Sequence, residues 1–167
     1  MKPYITIWLF LFPLITNGQS FNFTQIKIES IDSLRNIDKA KKITHSYTTG
    51  VSSDYFPDRM KFALEQPIIY GKKLGAFKNE ISFFFTKRDS VVRLIEYEWE
   101  GDENATDSAY YEIVNENKII ISKYFNALPT EIPETESKAA KSIWENEQVF
   151  VEQLMMPGLQ RIRVLIS

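Results

Sequence analysis

Three glutamates, Glu96, Glu98 and Glu100, alternate with Ile95, Tyr97 and Trp99 in the stretch ISFFFTKRDSVVRLIEYEWEGDEN, residues 81–104. Alternate side chains on one strand face sit about 7 Å apart, a separation that inverting glycoside hydrolysis uses. That chemistry also needs a cleft and two environments that drive the proton affinities of the acids apart. Nothing distinguishes three glutamates repeated along one strand. The row reads as the solvated side of a strand, where water screens the like charges and the charges discourage edge-to-edge pairing. A carboxylate-based hydrolase remains the catalytic alternative.

The other reactive groups are sparse. His45 is the only histidine, and neither G-x-S-x-G nor H-E-x-x-H occurs, so it reads as a surface residue following a lysine-rich helix. The acidic run EGDENATD (Glu100, Asp102, Glu103, Asp107) lacks the spacing of a calcium loop and reads as an ordinary acidic turn. GKKLG at 71–75 lacks the spacing of a phosphate loop. Lys39, Lys41 and Lys42 read as the exposed side of the first helix. No catalytic, cofactor-binding or metal-ligating residue is assigned, and no cofactor is expected. Aromatic residues in polar surroundings remain: Tyr47, Tyr55 and Phe56, with Trp144 beside them. Such residues anchor protein interfaces, and the alternative is that they pack into the core.

The elements that must position these residues begin after an apolar leader. Lys2 precedes an apolar run from Tyr4 to Ile15, and Thr16 and Gly18 place small residues before Gln19. The run is shorter than the roughly 20 residues a spanning helix needs. It reads as a cleaved secretory signal over 1–18, leaving one α+β domain over 19–167; an uncleaved anchor or a buried helix is the alternative. No second run of spanning length follows. Without cysteine, neither disulfides nor a lipid-modified cysteine is available, so the core alone must hold the fold. The net charge of −2, one unit more negative without Lys2, argues against nucleic acid as a partner.

Residues 21–30 alternate weakly, as an edge strand does. Asp32 or Ser33 caps a helix with a thin apolar face through 34–47, and 46–58 reads as a loop. Short strands near Met60–Leu64 and Ile68–Tyr70 precede a turn bracketed by Gly71 and Gly75. Ile81–Thr86 and Val91–Trp99 form a hairpin across KRDS, with Arg93, Ile95, Tyr97 and Trp99 on one face and Leu94, Glu96, Glu98 and Glu100 on the other. Residues 108–128 place Tyr110, Ile113, Val114, Ile120, Ile121, Tyr124, Phe125 and Leu128 on one helical arc, with Asp107 or Ser108 as N-cap and Pro129 beyond the end. Residues 129–137 read as a loop leading into a short helix over Lys138–Ser142. Gln148–Met155 and Gln160–Ile166 close the chain as a hairpin, with Pro157 and Gly158 suited to a type II turn. Together these predict an α+β fold: an antiparallel sheet of five or six strands, covered on one face by the 108–128 helix and by the first helix, with the second face wetter.

This order of parts, with a strand pair ending at Trp99-Glu100, a helix ending KYFNALPT, Trp144 and a C-terminal hairpin, resembles small exported α+β proteins of Gram-negative bacteria. Those usually end the helix with YG-x-P, where this chain reads YFNALP. The resemblance implies a periplasmic or extracellular location and carries no catalytic residue to any position. The expectation is a non-catalytic domain that binds a protein partner in the cell envelope, of the inhibitor or immunity type. The alternative of a different class is a carrier of a small apolar or lipid ligand between sheet and helix, lined by Phe83, Phe85, Tyr97, Trp99, Tyr124 and Phe125.

Overall fold

The two segments with the clearest alternation form the middle of the molecule. In the computed structural model they pair antiparallel at the heart of one continuous eight-stranded sheet. The structure describes residues 20–34, 39–51, 62–133 and 140–167. In chain order the elements are β1 (Lys41–Ile43), β2 (Ile68–Leu74), β3 (Phe77–Phe85), β4 (Val92–Gly101), α1 (Asp107–Phe125), β5 (Thr130–Pro133), β6 (Ala140–Glu145), β7 (Val149–Met156) and β8 (Leu159–Ile166). Across the sheet they run β1-β2-β3-β4-β8-β7-β6-β5. Each half is a four-stranded meander. The chain crosses through α1 to the far edge and winds back until β8 closes against β4. Among the described residues the fold is α+β with an antiparallel sheet and one main helix, and eight strands replace the predicted five or six.

The additional strands lie where local preference is weak. Over its described part, 34 and 39–47, the predicted 34–47 helix is absent: β1 occupies Lys41–Ile43, and a short 3₁₀ helix precedes it at Ile28–Ser33. A thin apolar face gives a helix little to bury. Ile43 instead pairs with Ile69 and packs so closely over Gly71 that a Cβ there would lie 2.2 Å from its Cδ1. Gly71 is therefore a strand residue, and the turn is Gly75-Ala76, with Gly75 at φ +58°. β5 falls within the predicted 129–137 loop, and β6 replaces the predicted short helix at Lys138–Ser142 over its described part. In each case cross-strand pairing overrides local preference. Residues 21–30 make only a bridge from Lys27 to Val91, and in the described part of the predicted 60–64 strand, 62–64, only Leu64 bridges, to Thr86.

One face of the sheet holds the core. Phe83, Tyr97 and Trp99 are at most 2% exposed, with Ile81, Ile95, Ile162, Val164 and Val151 around them. Each such side chain contributes about 1.5–3 kcal/mol through burial. The N-terminal segment covers the β3–β4 side: Phe21 stands edge-on to Tyr97 at 4.9 Å, and Phe23 stacks on Tyr124 at 4.0 Å. Helix α1 covers the other side through Tyr110, Val114, Asn117 and Ile121, an i, i+4, i+7, i+11 stripe. Polar pins fix its docking: Gln153 Nε2 donates to the Val114 carbonyl at 3.0 Å, Asn117 Nδ2 to Gln160 Oε1 at 3.1 Å, and Trp144 Nε1 to Ser122 Oγ at 3.1 Å.

The helix boundaries differ from prediction at both ends. Thr106, not Asp107 or Ser108, is the N-cap, its hydroxyl accepting from the Ala109 amide. The helix stops at Phe125 because Asn126 takes a left-handed conformation, φ 50°, leaving Leu128 88% exposed. No helix among the described residues is long and apolar enough to cross a membrane.

A bulge alters the predicted faces of β4. Phe84 pairs with Leu94 but Phe85 pairs with Val92, so Arg93 has no partner across the ladder. Val92 therefore joins Ile95, Tyr97 and Trp99 in the core, and Arg93 leaves the side on which alternation places it. Its guanidinium lies 4.5 Å over the Phe62 ring, with Nη2 2.7 Å from Asp89.

Candidate functional site

The open face of the sheet carries the glutamate row, and strand register decides what the row does. Glu96 lies opposite Arg163 and Glu98 opposite Arg161 across the β4–β8 seam. Arg161 donates through Nε at 2.8 Å to Glu98 Oε2 and pairs through Nη2 at 2.5 Å with the same oxygen. Arg163 donates Nε to Glu96 at 2.8 Å and Nη1 to Glu152 of β7 at 2.9 Å. Its side chain is 6% exposed. One guanidinium thus joins three adjacent strands, and Lys141 of β6 approaches Glu152 at 3.8 Å. Glu100 lies beyond the arginines, opposite Leu159, and is exposed. The alternation E-x-E in β4 meets R-x-R in β8, so the carboxylates are the acid half of a cross-strand ladder.

Next to the ladder, residues 44–51 leave β1 and stand above the face. They enclose a recess of about 360 Å³ whose floor includes Glu80, Ser82, Phe84, Glu96 and Glu98 with both arginines. His45 Nε2 lies 3.3 Å from Glu80 Oε2, and Lys78 holds the other oxygen of Glu80 at 2.7 Å. That hydrogen bond to Glu80 lifts Lys78 above its ordinary value despite partial desolvation. Tyr47 stacks on the His45 ring at 4.7 Å and is itself 64% exposed. Thr49 ties the segment down: its amide donates to Gln66 Oε1 at 2.9 Å and its carbonyl accepts from Gln66 Nε2 at 3.2 Å. At the far end of the face, Phe84 and Leu94 form a small apolar cluster with Val51, Phe62, Leu64 and Leu165.

The residues singled out in the sequence fall in different places. Tyr47 is at the rim of the recess. Tyr55 and Phe56 lie outside the described residues. Trp144 is not a loop residue: it sits in β6, 3% exposed, bonded to Ser122, and lines a separate hollow with Phe125 and Leu128. His45 follows a strand, not a helix, and its side chain is 18% exposed. The acidic turn is organised by Asp102, which takes Lys73 at 2.8 Å and the Asn104 amide at 2.9 Å; the Lys73 hydrogen bond leads in holding its carboxyl below the usual range. GKKLG is the end of β2 and its turn. Among the described residues no three His, Asp or Glu side chains converge as metal ligands must. Sequence reasoning missed Arg161 and Arg163 as functional neighbours of the glutamates. The R-x-R alternation of the last strand was the available signal, but only the long-range pairing of β8 with β4 gives it meaning.

No protein-family model, curated protein or solved structure matches the chain. The chemistry of the site therefore rests on its geometry. Glu96 and Glu98 both face guanidinium groups, Glu96 those of Arg163 and, at 3.7 Å, Arg161, and Glu98 that of Arg161. What the arrangement offers is a fixed pattern of charge beneath an exposed aromatic ring.

Proposed function

We propose that this chain is an exported, non-catalytic α+β domain that binds a protein partner in the cell envelope, of the inhibitor or immunity type, through the open face of its sheet around Tyr47. The carrying observation is the conjunction of a 64% exposed tyrosine with a half-open recess whose floor charges are already paired. A rigid aromatic at the rim of a preorganised polar surface is the composition of an interface anchor. Paired floor charges fix register and partner choice without having to be desolvated alone. Export is supported by the apolar run over residues 4–15 and the small residues after it. The carrier reading has less behind it, because Tyr97 and Trp99 are packed by Phe21 and by each other, and Phe83 is fully buried with its ring edge-on to Tyr70.

The test uses residues 19–167, immobilised and exposed to an envelope extract of a Gram-negative bacterium. A specific partner is retained, and Tyr47→Ala weakens its binding by about 2 kcal/mol, roughly thirtyfold. Leu128→Ser, on the opposite side of the sheet, leaves it unchanged. Equal retention by Tyr47→Ala places the interface elsewhere. Retention of nothing, together with turnover of a hydrolase substrate panel, overturns the reading.

A further inference from the structure

The single histidine of the chain lies in the segment that walls the recess. His45 connects this segment to the sheet through Glu80, and Tyr47 rests on its other side. The other described attachments, Thr49 to Gln66 and Val51 to the apolar cluster with Phe84 and Leu94, carry no charge. The His45–Glu80 contact is therefore the one tether of segment 44–51, among its described contacts, whose strength depends on a proton. Neutral imidazole gives Glu80 at most an ordinary hydrogen bond, whereas imidazolium gives a charge-assisted one about twice as strong. Histidine is the side chain whose charge ordinarily changes between about pH 5 and 8.

The surrounding charges are arranged so that this proton matters. On β3, Glu80 is shared with Lys78. On β4, Glu96 and Glu98 are taken up by Arg163 and Arg161 of β8. On β1, Lys41 and Lys42 are exposed. Glu80 is thus the carboxylate in contact with His45, and the remaining acids of the floor are already neutralised by fixed partners. Tyr47 shares a stacking surface with the imidazole, so movement of His45 moves the rim.

We propose that His45 and Glu80 form a proton-operated latch: protonation of His45 pins segment 44–51 to the sheet and sets Tyr47 over the recess, and loss of the proton releases both. The latch rests on the binding reading only for its consequence, which is tighter partner engagement at mildly acidic pH. Its operation is a property of the isolated protein and is tested there.

Residues 19–167, labelled for NMR, are titrated from pH 8 to pH 5. The Tyr47 ring signals and the amides of residues 45–50 shift together with the lone histidine, with one shared midpoint. In Glu80→Gln the histidine still titrates, but the response of Tyr47 falls at least threefold. In Gln66→Ala, which removes the Thr49 tether, that response grows. Urea midpoints confirm that both variants fold; if Glu80→Gln does not, His45→Gln replaces it and must give a Tyr47 signal independent of pH. A Tyr47 signal that ignores the histidine titration, or follows it equally without Glu80, overturns the latch. That result leaves Tyr47-dependent partner capture standing, and failure of capture leaves the latch standing.

Discussion

Arg163 places the heaviest energetic demand on the open face. It is nearly buried and holds Glu96 and Glu152 together. Replacing it with methionine leaves Glu96 and Glu152 only the longer contacts to Arg161 at 3.7 Å and Lys141 at 3.8 Å, and urea unfolding of Arg163→Met should show a loss of about 3 kcal/mol. Arg161 is 27% exposed and serves Glu98 from a wetter position, so Arg161→Met should lose about 1 kcal/mol or less. Equal losses would count against the strand-joining role of Arg163. The acid response has another origin. Thr86 leads, with the Val91 amide and Arg93, in holding Asp89 down at about 2. A carboxyl so depressed contributes stability that is complete above its ordinary value near 4 and is lost as pH falls towards 2. Asp89→Asn should remove that part of the acid-unfolding curve; an unchanged curve refutes it. At the alkaline end, burial leads in pushing Tyr70 and Tyr110 up to about 12. Their contribution is whole below pH 10 and declines as pH rises through 12, so Tyr110→Phe should flatten the alkaline limb. At this scale the shared face of the glutamates was legible from alternation, but the solvated row was not found: only Glu100 is exposed, while Glu96 and Glu98 are paired on the floor of the recess. Their partners were not legible, because nothing local indicates that the final strand lies beside the fourth.

Among the elements, α1 was the most legible, since its apolar arc and flanking proline are both local signals. Its ends were less so. Three adjacent residues, Thr106, Asp107 and Ser108, are all good caps, and geometry selects Thr106. Thr106→Ala should cost about 1 kcal/mol in chemical denaturation, and Asp107→Ala distinctly less; the reverse order contradicts the assignment. The closing hairpin was legible for the same reason: Pro157-Gly158 encodes a tight turn, and Gly158 has φ +74°. The strands β1, β5 and β6 were hidden. Lys41–Ile43 has only three residues and a helix-like neighbourhood, and Thr130–Pro133 is exposed throughout. Their pairing partners carry the information. The bulge at Arg93 was hidden too, because alternation counts residues and cannot show an insertion in one strand of a pair.

For the whole molecule, the ordering of strands explains why the charged ladder sits where it does. In the sheet the two meanders meet at β4 and β8, and a slip of one residue at that seam would turn Ile162, Val164 and Ile166 of β8 out of the core. The Glu96–Arg163 and Glu98–Arg161 pairs mark the correct register from the open face while Ile162 and Val164 mark it from the core. The α+β class and the face covered by α1 were legible from the pattern of elements; the segment 44–51 packed over part of the other face and the closure of one half on the other were not. The measurement that tests the central claim most directly is a double-mutant cycle on residues 19–167 with Glu96→Gln, Arg163→Met and their combination, read by urea unfolding. The account predicts a coupling of about 1–3 kcal/mol, with the double variant more stable than Arg163→Met alone. A coupling near zero would contradict it and return the glutamates to an unassigned role.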